Sequence, residues 1–284
     1  MNKSLLSYLK DLKIIATMGT CKNAGKTTVL NYLIDCYRQR FPLGITSIGL
    51  DGEEKDAVTK LPKPRVMVYP GMLVATTIEC LDKSDITFRI KKDPKMYTSM
   101  GKVLIIEVLT PGILEIAGPV MMTEQKQVAE EMLSFGAKKV ILDGAAGRMA
   151  FANLADGSIL SVGAALSNQM GEVVKQAEYQ VELLTLPAMK DKDLIQMADT
   201  LTTPYKDVDD ANRLYRGVLD EQDVVILMKD YQMEKKKLPT LIVKDSMAVF
   251  VKRNTYRKFL SLGGQIRVLK PVTLTALTIN PMTP

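Results

Sequence analysis

Lys13-Ile14-Ile15-Ala16-Thr17-Met18-Gly19-Thr20-Cys21-Lys22-Asn23-Ala24-Gly25-Lys26-Thr27-Thr28 is the stretch from which the rest of the chain is read. It starts as an apolar strand, turns through a glycine-containing loop and enters a helix. Beyond it Val29, Leu30, Leu33, Ile34 and Tyr37 recur at helical spacing. A Gly-Lys-Thr at a strand-to-helix junction supplies what a phosphate-binding loop, or P-loop, needs. Backbone N–H groups and the positive end of the helix meet the phosphates. The expected cradle is Lys22, Asn23, Ala24, Gly25, Lys26, Thr27 and Thr28. Lys26 would reach the β and γ oxygens, the Thr27 hydroxyl would ligate Mg²⁺, and Thr28 would donate to the α-phosphate. The usual motif separates its glycines by four residues, whereas Gly19 and Gly25 enclose one more. Either Thr20 holds the first-glycine position, or Gly19 serves a loop one residue longer.

Working outward, Ile45 to Leu50 is expected to be a second strand, ending at Asp51-Gly52-Glu53. Arg65 to Tyr69 reads as a third strand, and Met72 to Leu81 as a segment compatible with helix. Strands are expected over Asp85 to Ile90 and Lys102 to Leu109, with Leu114 to Ala117 returning antiparallel after Thr110-Pro111-Gly112. Thr123 would cap a helix that Gly136 ends. Lys139-Val140-Ile141-Leu142-Asp143 and Ser158 to Val162 read as buried strands. A helix carrying Val173, Ala177, Val181 and Leu184 follows Ser167 and stops at Pro187. Such alternation of strand, loop and helix predicts an α/β fold that is P-loop NTPase-like, with a mainly parallel sheet flanked by helices. Residues 1–188 would form the nucleotide-binding domain. Residues 189–284 would form a smaller C-terminal lobe or continue the same sheet. In that part Met189 to Leu219 reads as helical or irregular, and Val224 to Leu227 and Leu241 to Val243 as strands. Asn254 would open a helix ended by Gly263-Gly264. Ile266 to Leu269 and Leu274 to Ile279 would be closing strands.

Phosphoryl chemistry needs a magnesium site, whose acids come from the C-terminal ends of strands beside the loop. Asp143, before Gly144-Ala145-Ala146-Gly147, and Asp51, before Gly52, have that placement. Together with Thr27 they form the expected metal set. Lys26, Asp51 and Asp143 are the expected catalytic set. Glu53 would position water and Arg148 would compensate developing charge; both also suit solvent-facing loop ends. No Asn-Lys-x-Asp guanine-reading pattern is present, which favours ATP over GTP.

Composition bounds the remaining options. With 284 residues the chain can bury roughly three-quarters of its extended surface. The net charge of +6 suits anionic ligands, and nucleotide phosphates alone satisfy it. The complete lack of histidine removes histidine-based acid–base chemistry, histidine metal sites and the usual nucleophilic triads. Cys21, Cys36 and Cys80 make neither a disulfide framework nor a paired metal spacing. The clusters Lys235-Lys236-Lys237, Lys252-Arg253 and Arg257-Lys258 lack interleaved aromatics and read as solvated faces, so no nucleic-acid partner is expected. With neither an apolar signal region nor a run of membrane-spanning length, a cytoplasmic location without membrane partners is expected.

The loop Lys22 to Thr28, taken with Thr46-Ser47-Ile48-Gly49-Leu50-Asp51-Gly52-Glu53, resembles the SIMIBI class of P-loop proteins. Within that class the chain resembles the smaller components of lysine 5,6-aminomutase reactivases. This likeness extends through Leu61-Pro62-Lys63-Pro64, Ala117-Gly118-Pro119, Asp143-Gly144-Ala145, Gly163-Ala164-Ala165-Leu166-Ser167 and Thr278-Ile279-Asn280-Pro281. The resemblance implies an accessory protein using ATP and Mg²⁺ to restore an adenosylcobalamin-dependent aminomutase, beside a second, mismatch-repair-like ATPase component. Proteins of the class often dimerise across bound nucleotide, which makes a homodimer a further expectation. The competing reading is an ATP-dependent biosynthetic enzyme resembling dethiobiotin synthetase or a molybdopterin-guanine-dinucleotide accessory protein.

Overall fold

A computed structural model describes residues 4–48, 66–144, 150–234 and 237–282. It divides into two compact units: residues 1–173 together with 275–284, and residues 174–274.

The first unit is built on the loop-bearing strand. Helix α1 (Leu5–Leu9) leads into β1 (Ile14–Gly19), all six residues of which are buried. Burial on both faces is expected of a central strand in a parallel sheet covered by helices. Helix α2 (Lys26–Tyr37) buries Val29, Leu30, Leu33, Ile34 and Tyr37, the stripe visible in the sequence. Then come β2 (Leu43–Ser47), β3 (Val66–Val68), β4 (Leu73–Thr77), α3 (Ile78–Asp82), β5 (Phe88–Lys92), β6 (Tyr97–Thr98), β7 (Gly101–Val108) and β8 (Gly112–Leu114). Helix α4 (Met122–Ser134), β9 (Lys139–Asp143) and β10 (Gly157–Gly163) complete this run, and helix α5 (Met170–Leu184) leaves it.

Nine strands form the main sheet, in the order β17-β10-β1-β9-β2-β4-β7-β5 with β6 added on β7; β17 is Leu274–Asn280. The pairs β1–β10, β1–β9, β2–β9 and β2–β4 are parallel, whereas β7 runs antiparallel to β4, β5 and β6. The chain is therefore an α/β protein with a large, mostly parallel sheet flanked by helices. The core joins Ile15, Leu30, Leu33, Ile45, Val74, Ile106, Ile141 and Ile159. Among the described residues of this unit, Lys139 is the charged side chain that is buried. Its ammonium donates to the carbonyls of Leu9, Lys10 and Leu12 at 2.7, 2.9 and 2.6 Å, satisfying the end of α1, and burial lowers its pKa.

Three local expectations are corrected here. Met72 to Leu81 holds strand β4 followed by the short α3. Val74, Thr76 and Thr77 are β-branched, and the slot between β2 and β7 buries the whole strand. The strand after Thr110-Pro111 is β8, Gly112–Leu114 rather than Leu114 to Ala117, and its antiparallel partner is β3, not the strand before the turn. Thr123 lies inside α4, whose N-cap is Met121 with no side-chain cap.

The second unit has α6 (Lys192–Thr200), β11 (Tyr205–Asp209), β12 (Asn212–Tyr215), β13 (Leu219–Asp220), α7 (Glu221–Glu234), β14 (Thr240–Val243), β15 (Val249–Phe250), α8 (Arg253–Ser261) and β16 (Gln265–Val268). Its sheet runs β11-β12-β14-β16; the first pair is antiparallel and the others parallel. Phe259, Leu219, Val224, Leu241 and Val243 lie in its core. Val224 to Leu227, expected as a strand, belongs to α7. A four-residue apolar run suits either element, and the flanking Glu221 to Asp223 and Met228 to Glu234 extend the helical pattern. Asn254 is inside α8. The amide of its N-cap Lys252 donates to Glu221 Oε2 at 2.6 Å. Both arginines of α8 face acids: Arg253 pairs with Glu178 at 3.6 Å, and Arg257 pairs with Glu182. Lys235 and Lys236 lie outside the described residues.

Candidate functional site

Between Gly19 and Lys26 the backbone turns tightly from the C-terminal end of β1 into α2. Asn23 takes φ +58°, and Gly25, the N-cap of α2, takes φ +95°. The second value favours glycine because a Cβ there meets the backbone. The first helical N–H to find a partner one turn back is Val29, on the Gly25 carbonyl at 3.1 Å. Amides at the start of an α-helix have no intrahelical acceptor, so those of α2 are available to an anion.

Lys26 does not point into solvent. Its stem crosses Gly19, where a Cβ would stand 2.9 Å from Cγ and 3.0 Å from Cδ. Gly19, rather than Thr20, is thus the residue whose missing side chain makes room for the lysine. The ammonium donates to the Gly144 carbonyl at 2.5 Å. Burial lowers the Lys26 pKa, against the opposing pull of Asp143 and Cys21.

Asp143 ends β9. Its Oδ1 accepts from Thr17 Oγ1 at 2.9 Å, and Thr17 and Asp143 are register partners. Crowding by protein atoms pushes its pKa up, while Lys26, Thr17 and the Gly144 amide oppose the shift. Ser47, at the end of β2, is the partner of Asp143 on the other side. The strand leading toward Asp51 therefore ends beside the strand that carries Asp143. Asp51 itself, with Glu53 and Arg148, lies outside the described residues.

Of the other expected residues, Lys22 and Asn23 are exposed on the loop and Ala24 is buried beneath it; Thr27 and Thr28 occupy the first turn of α2, Thr27 half-buried and Thr28 exposed. Thr27 and Asp143 supply only hard oxygen donors, which fits magnesium. Among the described residues no three acidic, cysteine or histidine side chains cluster as a metal cage. Magnesium beside a phosphate loop uses one or two carboxylates and the phosphates themselves, so the donor set suits that mode.

Three supports are poorly signalled in sequence. The Thr20 amide donates to the Ser161 carbonyl at 2.9 Å, tying the loop to β10. Gly163 sits so close beneath the loop that a Cβ would lie 2.5 Å from Ala24 Cα. Asn280, at the end of β17, donates from Nδ2 to the Asn23 carbonyl at 2.9 Å. The sequence marks Asn280-Pro281 only as a strand end, equally a place for a base-contacting loop or an ordinary stop; here the Asn280 amide holds the loop backbone. Next to β2, Gln125 Nε2 donates to the carbonyls of Ser47 and Pro119 at 2.7 and 2.6 Å, fixing the strand end ahead of Asp51.

Asp143→Asn keeps the size of the side chain and removes its charge. If Asp143 holds magnesium, nucleotide turnover by the variant needs at least roughly tenfold more Mg²⁺ for half-maximal rate. An unchanged metal titration removes Asp143 from the metal site.

Comparison with protein-family models, with curated proteins and with solved structures returned no match. No helix among the described residues is long and apolar enough to cross a membrane.

Proposed function

We propose that the chain is a P-loop NTPase that binds ATP with Mg²⁺ and acts as the accessory, reactivase-type subunit of an adenosylcobalamin-dependent amino-acid aminomutase. The observation that carries the nucleotide reading is the placement of Lys26. Its stem crosses Gly19 and its amine sits on the Gly144 carbonyl next to Asp143, beside the first-turn amides of α2. An incoming triphosphate would take the amine from the Gly144 carbonyl, since a charge-assisted bond to a phosphate oxygen is stronger than one to a neutral carbonyl. Loop amides from Lys22 to Thr28 would hold the phosphate chain, with the Thr27 hydroxyl and the Asp143 and Asp51 carboxylates beside it. Bound magnesium would spread the charge of the β and γ oxygens. Gly144 and the end of β2, next to those oxygens, would feel the γ-phosphate come and go, which is how such proteins turn hydrolysis into movement of neighbouring loops.

The accessory role rests on the likeness of Lys22 to Thr28, Thr46 to Glu53 and Thr278 to Pro281 to the SIMIBI class and to reactivase subunits in particular. No residue of the chain suggests that it binds cobalamin itself. The test is recovery of a catalytically inactivated aminomutase, with ATP, this chain and the second ATPase component present. Recovery should need all three. Recovery indifferent to this chain overturns the accessory role and leaves nucleotide binding standing. ATP turnover by the isolated chain that depends on a small carboxylate substrate instead identifies a biosynthetic enzyme.

A further inference from the structure

The two ends of the main sheet differ. At one end β5 carries Arg89, Lys91 and Lys92, and its register on β7 shifts between Ile90 and Lys92. Charge and a bulge are the usual devices that stop an edge strand from pairing with another chain. At the other end β17 has neither charge nor proline over Leu274-Thr275-Ala276-Leu277-Thr278-Ile279-Asn280. Leu277 is 50% and Ile279 79% exposed. Among the described residues no strand pairs with the outer side of β17. A seven-residue strand is longer than the common strand of about 5–6 residues. Its unpaired N–H and C=O groups form a ready template.

We propose that β17 is the docking surface for a second copy of this chain, the two strands pairing antiparallel about Leu277 and joining two main sheets edge to edge. Self-complementarity favours a copy over another protein. A two-fold axis at Leu277 sets that residue opposite itself, Thr275 opposite Ile279, and Ala276 opposite Thr278. Every pair is apolar or β-branched against a small or apolar partner, the combinations that stabilise antiparallel pairs. No like charges meet at this edge, in a chain whose net charge is +6. Leu277 and Ile279 share a face of the strand, so the four apolar side chains of two copies lie in one row. The inference does not depend on the nucleotide reading.

Sedimentation of the full chain at about 1–100 μM tests it. The expected result is a dimer, and a Leu277→Lys/Ile279→Lys variant that sediments as a monomer with a near-unchanged melting midpoint. A second variant tests the register. Opposed antiparallel residues have Cα atoms about 4.5–5.5 Å apart, within the ~4.4–6.8 Å that a disulfide spans. Under copper-phenanthroline oxidation Leu277→Cys should therefore cross-link to its own copy. Thr275→Cys, opposite Ile279, and the unaltered chain with Cys21 and Cys36 should not. A wild-type monomer at ~100 μM, a dimer that survives both lysines, or equal cross-linking from positions 275 and 277 overturns the proposal. A strand of some other protein on this edge would show itself as the first of those results.

Discussion

Lys26→Ala is expected to weaken ATP binding by roughly two orders of magnitude or more and to leave the fold intact. Hydrogen bonds to charged groups contribute about 1.5–3 kcal/mol each, and the amine would make more than one to the phosphates. The fold should survive because the unbound lysine already bears a desolvation cost, and its loss frees the Gly144 carbonyl at the loop edge. Calorimetric titration gives the affinity, and a thermal melt checks the fold. Protons supply an independent readout. Burial holds the Lys26 pKa below its usual value, and a triphosphate beside the amine would raise it. Wild-type binding should then take up protons at alkaline pH, between the free and bound values. Titrations in two buffers of different ionisation enthalpy measure that uptake, and the alanine variant should lose it. The sign for stability is fixed by the same shift. Between the lowered folded pKa and the ordinary lysine value the native state binds fewer protons than the unfolded one, so Lys26 destabilises the fold less as pH rises through that window. Wild-type affinity in the variant would remove the loop from the nucleotide site.

Gly163→Ala is the second large effect, and it comes from space alone. Gly163 has φ −110° and ψ 135°, an ordinary extended conformation open to any residue. An added methyl would nonetheless meet Ala24 Cα at 2.5 Å, Ala24 Cβ at 3.1 Å and Ala24 N at 3.3 Å. The nearest of these is backbone, so the loop must move rather than a side chain rotate. Overpacking of this kind costs about 1–3 kcal/mol. Levied on the geometry that holds phosphates, it corresponds to roughly a 5–150-fold loss of ATP affinity. Gly171→Ala, where a methyl meets nothing within 4 Å, is the control and should bind as wild type. Equal affinity in both variants would mean that the loop does not hold the phosphates.

Elements whose pattern is local were legible in the sequence. The run Ile14 to Met18, the α2 stripe and Val140 to Leu142 each carry a period or an apolar run of the right length, and together they predict the parallel core of the sheet. Segments decided by their neighbours were not. Leu73 to Thr77 is strand because β2 and β7 enclose it, and Val224 to Leu227 is helix because of what lies on either side. The antiparallel pair β11–β12 carries Tyr205, Lys206, Asp207 and Asp209, too polar to read as strand until Arg213 binds Asp207 and stacks over Tyr205 at 4.6 Å. In the candidate site, Lys26 and Asp143 stand out because strand ends and a Gly-Lys-Thr are local signals. The supports from Gly163 and Asn280 come from residues more than a hundred positions away and leave no local trace.

The return of β17 to the first sheet has a consequence for the order of biosynthesis. About a hundred residues, 174–274, separate the body of that sheet from its last strand. At a translation rate of about 5–20 residues per second, the nascent first unit waits roughly 5–20 s for the strand that closes its border. Asn280, which clasps the loop at Asn23, leaves the ribosome only after all of residues 174–274 have done so. A ribosome-bound chain that has synthesised only the first 173 residues therefore carries the lysine and the loop amides without the clasp.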